Sequence, residues 1–370
     1  MSGIAERPPA LNACGSAPHR AVLSLLAIAL GRPAPSGLKQ DLTQSRPEEI
    51  ATIANNGHVQ TVLHSAFLNS ADLGSALPQD LLIYFAEMQR ANAARNTAAR
   101  EQMSQIANIL SGHGIPVLAL KGAADILDPL HPTPAHRYIS DLDLLVPESR
   151  AQDAARFIRA AKGLVTDSSA LHVGDHHHMA QIVHPDWPLT VELHLRPGSE
   201  AVCSVLTASQ IFRDSQPSPV SGVRIPSLED RFLHHILHGM ELRHQTAALN
   251  LRLLADHICY LRRISDESQK QALTRLNRRG LADWQTDLGA LAEALNGIPP
   301  EPGSWATQAL VNFANPDASR HQDTRFWMRR YVQRLMGPPH QRRQLLRKAL
   351  SPAAWAEFIQ FHRDRRRKFK

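Results

Sequence analysis

The chain has 370 residues, 43% of them apolar and 20% charged, an ordinary globular balance with room for two or three domains. That balance excludes a mainly disordered chain, a collagen-like repeat and a disulfide-stapled miniprotein. The formal charge of +7 belongs to the tail: residues 340–370 hold ten Lys/Arg and two Asp/Glu, which leaves 31 basic against 32 acidic residues elsewhere. The tail's Arg363, Arg365, Arg366, Arg367, Lys368 and Lys370 follow Trp355, Phe358 and Phe361 at helical spacing. A solvated helix end is the favoured reading, with an arm for RNA or an acidic surface as its rival.

In chain order, Ala21–Gly31 (AVLSLLAIALG) resembles a signal-peptide core. It follows a weakly charged, Pro-rich start and is closed by Arg32-Pro33, so a buried helix is expected. No apolar run reaches the roughly 18 residues of a membrane span. Cys14, Cys203 and Cys259 are too dispersed for a zinc ribbon or a CxxC pair, which fits a reducing, cytoplasmic setting. Glu48–Asn69 reads as a helix pair broken at Asn56-Gly57. After Pro78 a long helix runs to about Leu110, with Leu81, Phe85, Met88, Ala99, Met103, Ile106 and Leu110 on its apolar seam.

The period then changes. Ile115–Ala119 and Ser140–Val146 read as strands, and Met179–Val183 with Leu189–Leu195 as a hairpin. Glu148–Lys162 reads as a helix between them. Pro217, Pro219 and Pro226 suggest a linker at 214–227, and from Ser227 the pattern is helical again. The division expected is 1–113 helical, 114–214 an α/β core, and 215–370 helical with the basic tail.

Asp141 and Asp143 carry the most chemical information. At i and i+2 of a strand they share one face, about 7 Å apart at Cα, while Leu142 and Leu144 face the core. Thr190, Glu192 and His194 share a face of a second strand, so pairing of the two would bring Glu192 to the aspartates as a third carboxylate. Hard oxygen donors of this kind favour Mg²⁺ over zinc. Lys121-Gly122 follows a strand and opens a turn that could approach phosphate closely. There is no Walker A motif and no GxGxxG.

Of the histidines, His176, His177 and His178 read as a polar strand end, with His178 and His194 able to line one pocket. His234 and His238 stand at i, i+4, followed by Glu241 and His244, without HExxH and without an evident third metal ligand. Helix-packing histidines are the expected reading, and a zinc hydrolase is the alternative.

Taken in order, IPVLALKG, then Arg137 and SDLDLLV, then VELHLR and a His-bearing helix resemble the uncharacterised nucleotidyltransferase family of the DNA polymerase beta-like superfamily. EEIATIANNGHVQTVLHSAFL, LEDRFLHHILHGMELRH and LRLLADHICYL resemble its flanking helices, so the resemblance covers about residues 20–265. It implies an α+β fold, a small mixed-sheet core between N- and C-terminal helical regions. It also implies Mg²⁺-dependent transfer of a nucleoside monophosphate, AMP from ATP by expectation, to an unidentified acceptor: small molecule, peptide or RNA. In that scheme Asp141, Asp143 and Glu192 hold two Mg²⁺ ions, and Glu192 also helps to deprotonate the acceptor. Lys121, Gly122, Ala123 and Arg137 match phosphate-contacting positions, and His194 has a pocket role. Two features depart from the wider superfamily: Ala123 replaces a hydroxyl-bearing residue, and eighteen residues separate Gly122 from Asp141. A non-catalytic nucleotide- or RNA-binding module is the alternative, with no membrane association in either reading.

Overall fold

The computed structural model describes residues 14–33, 35–70, 73, 77–165, 177–243, 249–281, 283–296 and 298–314. The basic tail, His176 and His244 therefore lie outside the described residues, and with them the readings made there. Helix α1 (Ala17–Ala29) is buried at every position from Ala21 to Ala29, which makes the apolar run a core helix. It packs on α2 (Leu38–Thr43), α3 (Pro47–Asn56) and α4 (His64–Asn69). The break between α3 and α4 follows Asn56, where Gly57 lets Leu251 approach: a Cβ on this glycine would stand 2.7 Å from Leu251 Cδ1.

Helix α5 (Gln79–Ser111) spans 33 residues. Its buried seam runs through Leu81, Phe85, Ala99, Met103, Ile106 and Leu110, and Asn92 and Asn96 continue it across the middle. These two asparagines give their amide hydrogens to the backbone. Asn92 Nδ2 donates to the carbonyls of Ala135 (2.7 Å) and Arg137 (3.1 Å), and Asn96 Nδ2 to those of Pro134 (2.7 Å) and Arg137 (2.9 Å). Buried amide donors spent in this way fix one backbone arrangement. The segment held is the one that carries Arg137.

Among the described residues five strands follow: β1 (Val117–Ala119), β2 (Asp141–Leu145), β3 (Thr190–His194), β4 (Gln216–Pro217) and β5 (Val223–Ile225). They form one mixed sheet in the order β3-β2-β1-β5-β4. β1 runs antiparallel to β2 and parallel to β5, while β2 and β3 are parallel in the register Asp141↔Thr190, Asp143↔Glu192 and Leu145↔His194. The fold is thus α+β, a small mixed sheet among helices.

Two expectations at the sheet's edges are corrected. The Pro-rich 214–227 is not a plain linker, because β4 and β5 pair antiparallel there and β5 joins β1. Pro217 is tolerated because β4 is an edge strand, where a missing N–H breaks no inner ladder. The hairpin at 179–195 is also interrupted. Its bridges are His178↔His194 and Ile182↔Val191, so four steps on one side face three on the other. That extra residue is a bulge, and it leaves β3 with one regular neighbour.

The sheet divides two apolar clusters. Leu142, Leu144, Val191 and Leu193 pack toward α5 and α7 (Ala151–Ala161). Leu118, Leu120 and Leu145 join the cluster of N-terminal and later helices. Between these strands, α6 (Lys121–Leu127) follows β1 directly and packs on β2. After α8 (Glu200–Cys203) and α9 (Ala208–Asp214) come α10 (Leu228–Arg243) and α11 (Leu251–Arg263). Ser227 Oγ accepts from the amide of Asp230 (3.1 Å) at the start of α10, and Asn250 Oδ1 from that of Leu253 (3.0 Å) at the start of α11. Helices α12 (Asp266–Asn277), α13 (Asp283–Ala294) and α14 (Trp305–Ala314) complete the described chain.

Candidate active site

Because β2 and β3 are in register, Asp143 and Glu192 face each other across the ladder and His194 projects from the same side of the sheet. One potential ligand atom from each of Asp143, Glu192 and His194 falls within 4.8 Å of the others. Among the described residues this is the only set of three or more metal-ligand side chains so close. Asp141 is on the same strand face but outside that set, with Ser140 Oγ donating to its Oδ1 at 3.1 Å. The structure thus joins Glu192 to Asp143 and adds His194, while Asp141 stands apart.

The charges around Asp143 are balanced within the protein. Lys121 Nζ lies 2.8 Å from Asp143 Oδ1, and His194 Nε2 lies 2.7 Å from the same oxygen. Burial alone would raise this carboxyl, but Lys121 and His194 outweigh it and hold it well below the usual carboxylate range. His194 is fully buried, which disfavours its charge, yet Asp143 and Glu192 raise its pKa. Glu192 is lowered to about 2, chiefly by the His194 ring 3.7 Å away and against the effect of burial, with help from Gln181 Nε2 at 2.6 Å. Asp141 moves the other way: burial, then the like charges of Asp143 and Glu192, raise it.

The turn after β1 is constrained. Lys121 has φ +47°, a left-handed conformation that costs a lysine about 1 kcal/mol. Next to it, a Cβ at Gly122 would stand 2.4 Å from Ile139 Cγ2, so only glycine fits there. Ala123 is buried and offers no hydroxyl.

Asp141, Asp143, Lys121, Gly122 and Arg137 line one cleft of about 160 Å³. Its opposite wall comes from α10 and α11 and includes His234, His238 and Arg252. Glu192, His194 and Ala123 are not part of the lining, so His194 meets the cleft through Asp143 and not directly. Arg137 is already committed to protein carboxylates, 3.1 Å from Asp256 Oδ2 and 3.5 Å from Asp125 Oδ2. Asp125 also pairs with Arg231 at 2.8 Å and accepts from the Tyr260 hydroxyl at 2.9 Å. Asp256 also binds His131 Nε2 at 2.8 Å. Sequence reasoning missed Asp125, Asp256, Arg231 and Arg252. The available signal was an acid inside an apolar run, AADIL for Asp125 and LLADHI for Asp256.

Among the described residues, His234 and His238 join no close set of metal-ligand side chains. Burial holds His234 down to about 3 and His238 well below its ordinary value, and His234 Nε2 is 2.9 Å from the Pro197 carbonyl. Neither belongs to the close ligand set.

Fold and cleft together define an α+β protein with carboxylates at the mouth of a mixed sheet. The family model described as uncharacterised nucleotidyltransferase matches residues 43–295, more than half of the chain, and the chain belongs to that family. No curated protein and no solved structure matches the chain. No helix among the described residues is long and apolar enough to cross a membrane.

Proposed function

We propose that the protein transfers a nucleoside monophosphate from an NTP, ATP in the first instance, to an acceptor hydroxyl or amine in a Mg²⁺-dependent reaction. The observation that carries this reading is the placement of Asp141 and Asp143 on a cleft wall with Glu192 in register behind Asp143, in a chain of a nucleotidyltransferase family. The carboxylate oxygens of Asp141, Asp143 and Glu192 suit a hard divalent ion, the nearby His194 nitrogen being already bonded to Asp143. The upward shift of Asp141 supports the fit, since it marks a surplus of negative charge that a cation would relieve. Asp141, Asp143 and Glu192 would hold Mg²⁺, which when bound would neutralise charge on the transferring group and on the departing pyrophosphate.

The acceptor heteroatom bonds to the α-phosphorus, the bond from that phosphorus to the β-phosphate's bridging oxygen breaks, and the acceptor's proton is released. Glu192 suits the ligand role better than that of proton acceptor, because a carboxyl held near 2 is a weak base at neutral pH. His194 is a positioning residue: it keeps Asp143 and Glu192 ionised and close together. Gly122 lets the turn after β1 pass tightly against Ile139, which sets Lys121 beside Asp143. We retain 1–113, 114–214 and 215–370 as the working division, with the later helices shaping the acceptor side and the setting cytoplasmic.

The test incubates the purified full chain with Mg²⁺ and each α-³²P-labelled NTP, with and without cell extract. Label moving to an acceptor supports the reading and identifies the acceptor class and the preferred base. A binding-only module is the competing reading, favoured by the missing hydroxyl at Ala123. It predicts NTP binding without transfer.

A further inference from the structure

We propose that Arg252 is the residue that grips the NTP's polyphosphate, an assignment that rests on the nucleotidyl-transfer reading above. Among the described residues, four cations line the cleft: Lys121, Arg137, Arg231 and Arg252. Three are committed within the protein. Lys121 pairs with Asp143, Arg137 with Asp125 and Asp256, and Arg231 with Asp125 and Asp128. Among the described residues, the Arg252 guanidinium has no hydrogen-bond or ion-pair partner.

Its surroundings explain why it is free. It sits in the first turn of α11, on the wall facing the sheet, where its backbone amide donates to the Gly57 carbonyl at 3.1 Å. That bond, with the Asn250 cap on Leu253, fixes the helix start from which the side chain enters the cleft. Burial and the like charge of Arg137 act against its own charge, while Asp256, Asp141 and Asp143 favour it from a distance. The histidines beside it bring no compensating anion and no competing cation, since His234 and His238 are held neutral by burial. A half-buried guanidinium without a partner, across a cleft from the carboxylates that would hold Mg²⁺, is matched by a phosphate chain reaching both walls. Arginine suits that role through its planar donor fork.

The experiment measures, by calorimetry with Mg²⁺ present, binding of inorganic tripolyphosphate, ATP and adenosine to the full-length native chain, Arg252→Gln, Arg252→Lys and the surface control Arg90→Gln. Among the described residues, Arg90 pairs with its exposed neighbour Glu87 alone, so its variant reports the effect of net charge. Arg252→Gln should weaken tripolyphosphate and ATP by about 10–100-fold, the range for losing a charge-assisted contact, and leave adenosine unchanged. Arg252→Lys should recover part of the loss, and Arg90→Gln should match the native chain. Equal polyphosphate affinity in Arg252→Gln and the native chain overturns the Arg252 assignment and leaves nucleotidyl transfer standing. A native chain that binds neither tripolyphosphate nor ATP overturns both. A loss confined to an anionic acceptor, once labelled, with tripolyphosphate unaffected, places Arg252 on the acceptor and overturns the assignment as stated.

Discussion

His194 Nε2 and Asp143 Oδ1 are 2.7 Å apart on adjacent parallel strands, and both side chains are buried. A carboxylate so placed could not remain ionised alone. With Lys121 on the same oxygen it is held firmly as an anion, and the protein itself keeps one candidate metal ligand ready. At Asp141, two residues away, the Ser140 hydroxyl and the Lys121 charge do not offset burial and the like charges of Asp143 and Glu192. The two aspartates of one motif therefore differ in their relation to stability.

That difference predicts opposite thermal effects. Asp143→Asn leaves Lys121 and His194 without their counter-charge and should destabilise the fold by about 3 kcal/mol, as breaking a buried pair does. Asp141→Asn removes a charge that the fold disfavours, so its Tm should equal or exceed that of the native chain. Calorimetric scans at neutral pH check both. A lower Tm for Asp141→Asn than for Asp143→Asn would contradict the charge balance described.

The turn after β1 gives a second test. Gly122→Ala sets a methyl group against Ile139 and should destabilise by about 1–3 kcal/mol, the usual range for overpacking. Shortening the obstacle should undo part of it, so Gly122→Ala with Ile139→Ala should be less destabilised than the two single changes summed. Urea unfolding of the four chains measures the coupling. Strict additivity would show that the Gly122–Ile139 contact is not the cause.

The His131–Asp256 pair predicts a pH dependence. Burial opposes charge on His131, but Asp256 prevails, aided by Cys259, and the pKa rises to about 10. A folded-state value above the unfolded one contributes stability that is complete below about pH 6.5 and lost as pH rises through about 10. Tm should therefore fall between pH 7 and 10 in the native chain. In His131→Asn, already less stable at pH 7, this alkaline decline should be shallower. Parallel declines in the two chains would exclude His131 as their source.

Glu192→Gln tests the register of β2 and β3. It keeps the strand and the contact with Gln181 but removes a carboxylate opposite Asp143. Transfer should fall by about 10²-fold or more, the scale for deleting one electrostatic stabiliser, while the fold stays intact by circular dichroism. Unchanged transfer would remove Glu192 from the site.

Much of this was legible in the residues themselves. The alternation of SDLDLLV gives β2 and its carboxylate face directly, and LTVELHL gives β3 and the side on which Glu192 and His194 stand. The seam of α5 is legible too, but its gap between Met88 and Ala99 hid Asn92 and Asn96, because buried asparagines bonded to a distant backbone leave no periodic apolar signal. β4 and β5 are short and Pro-flanked, so their composition is that of a loop until β1 supplies a partner. Asp125, Asp256 and Arg252 escaped for a related reason. Their partners, or in Arg252's case the cleft it enters, lie far away in sequence, and only the fold brings them together.

Nucleotidyl transfer by Asp141→Asn, measured beside the native chain with α-³²P-labelled NTP and Mg²⁺, is the most direct test of function. The predicted result is label transferred by the native chain and lost in a variant whose Tm is undiminished, since Asp141 is kept against the fold's electrostatic preference. Equal transfer by both chains, or none by the native chain with every NTP and extract, would contradict catalysis at these carboxylates.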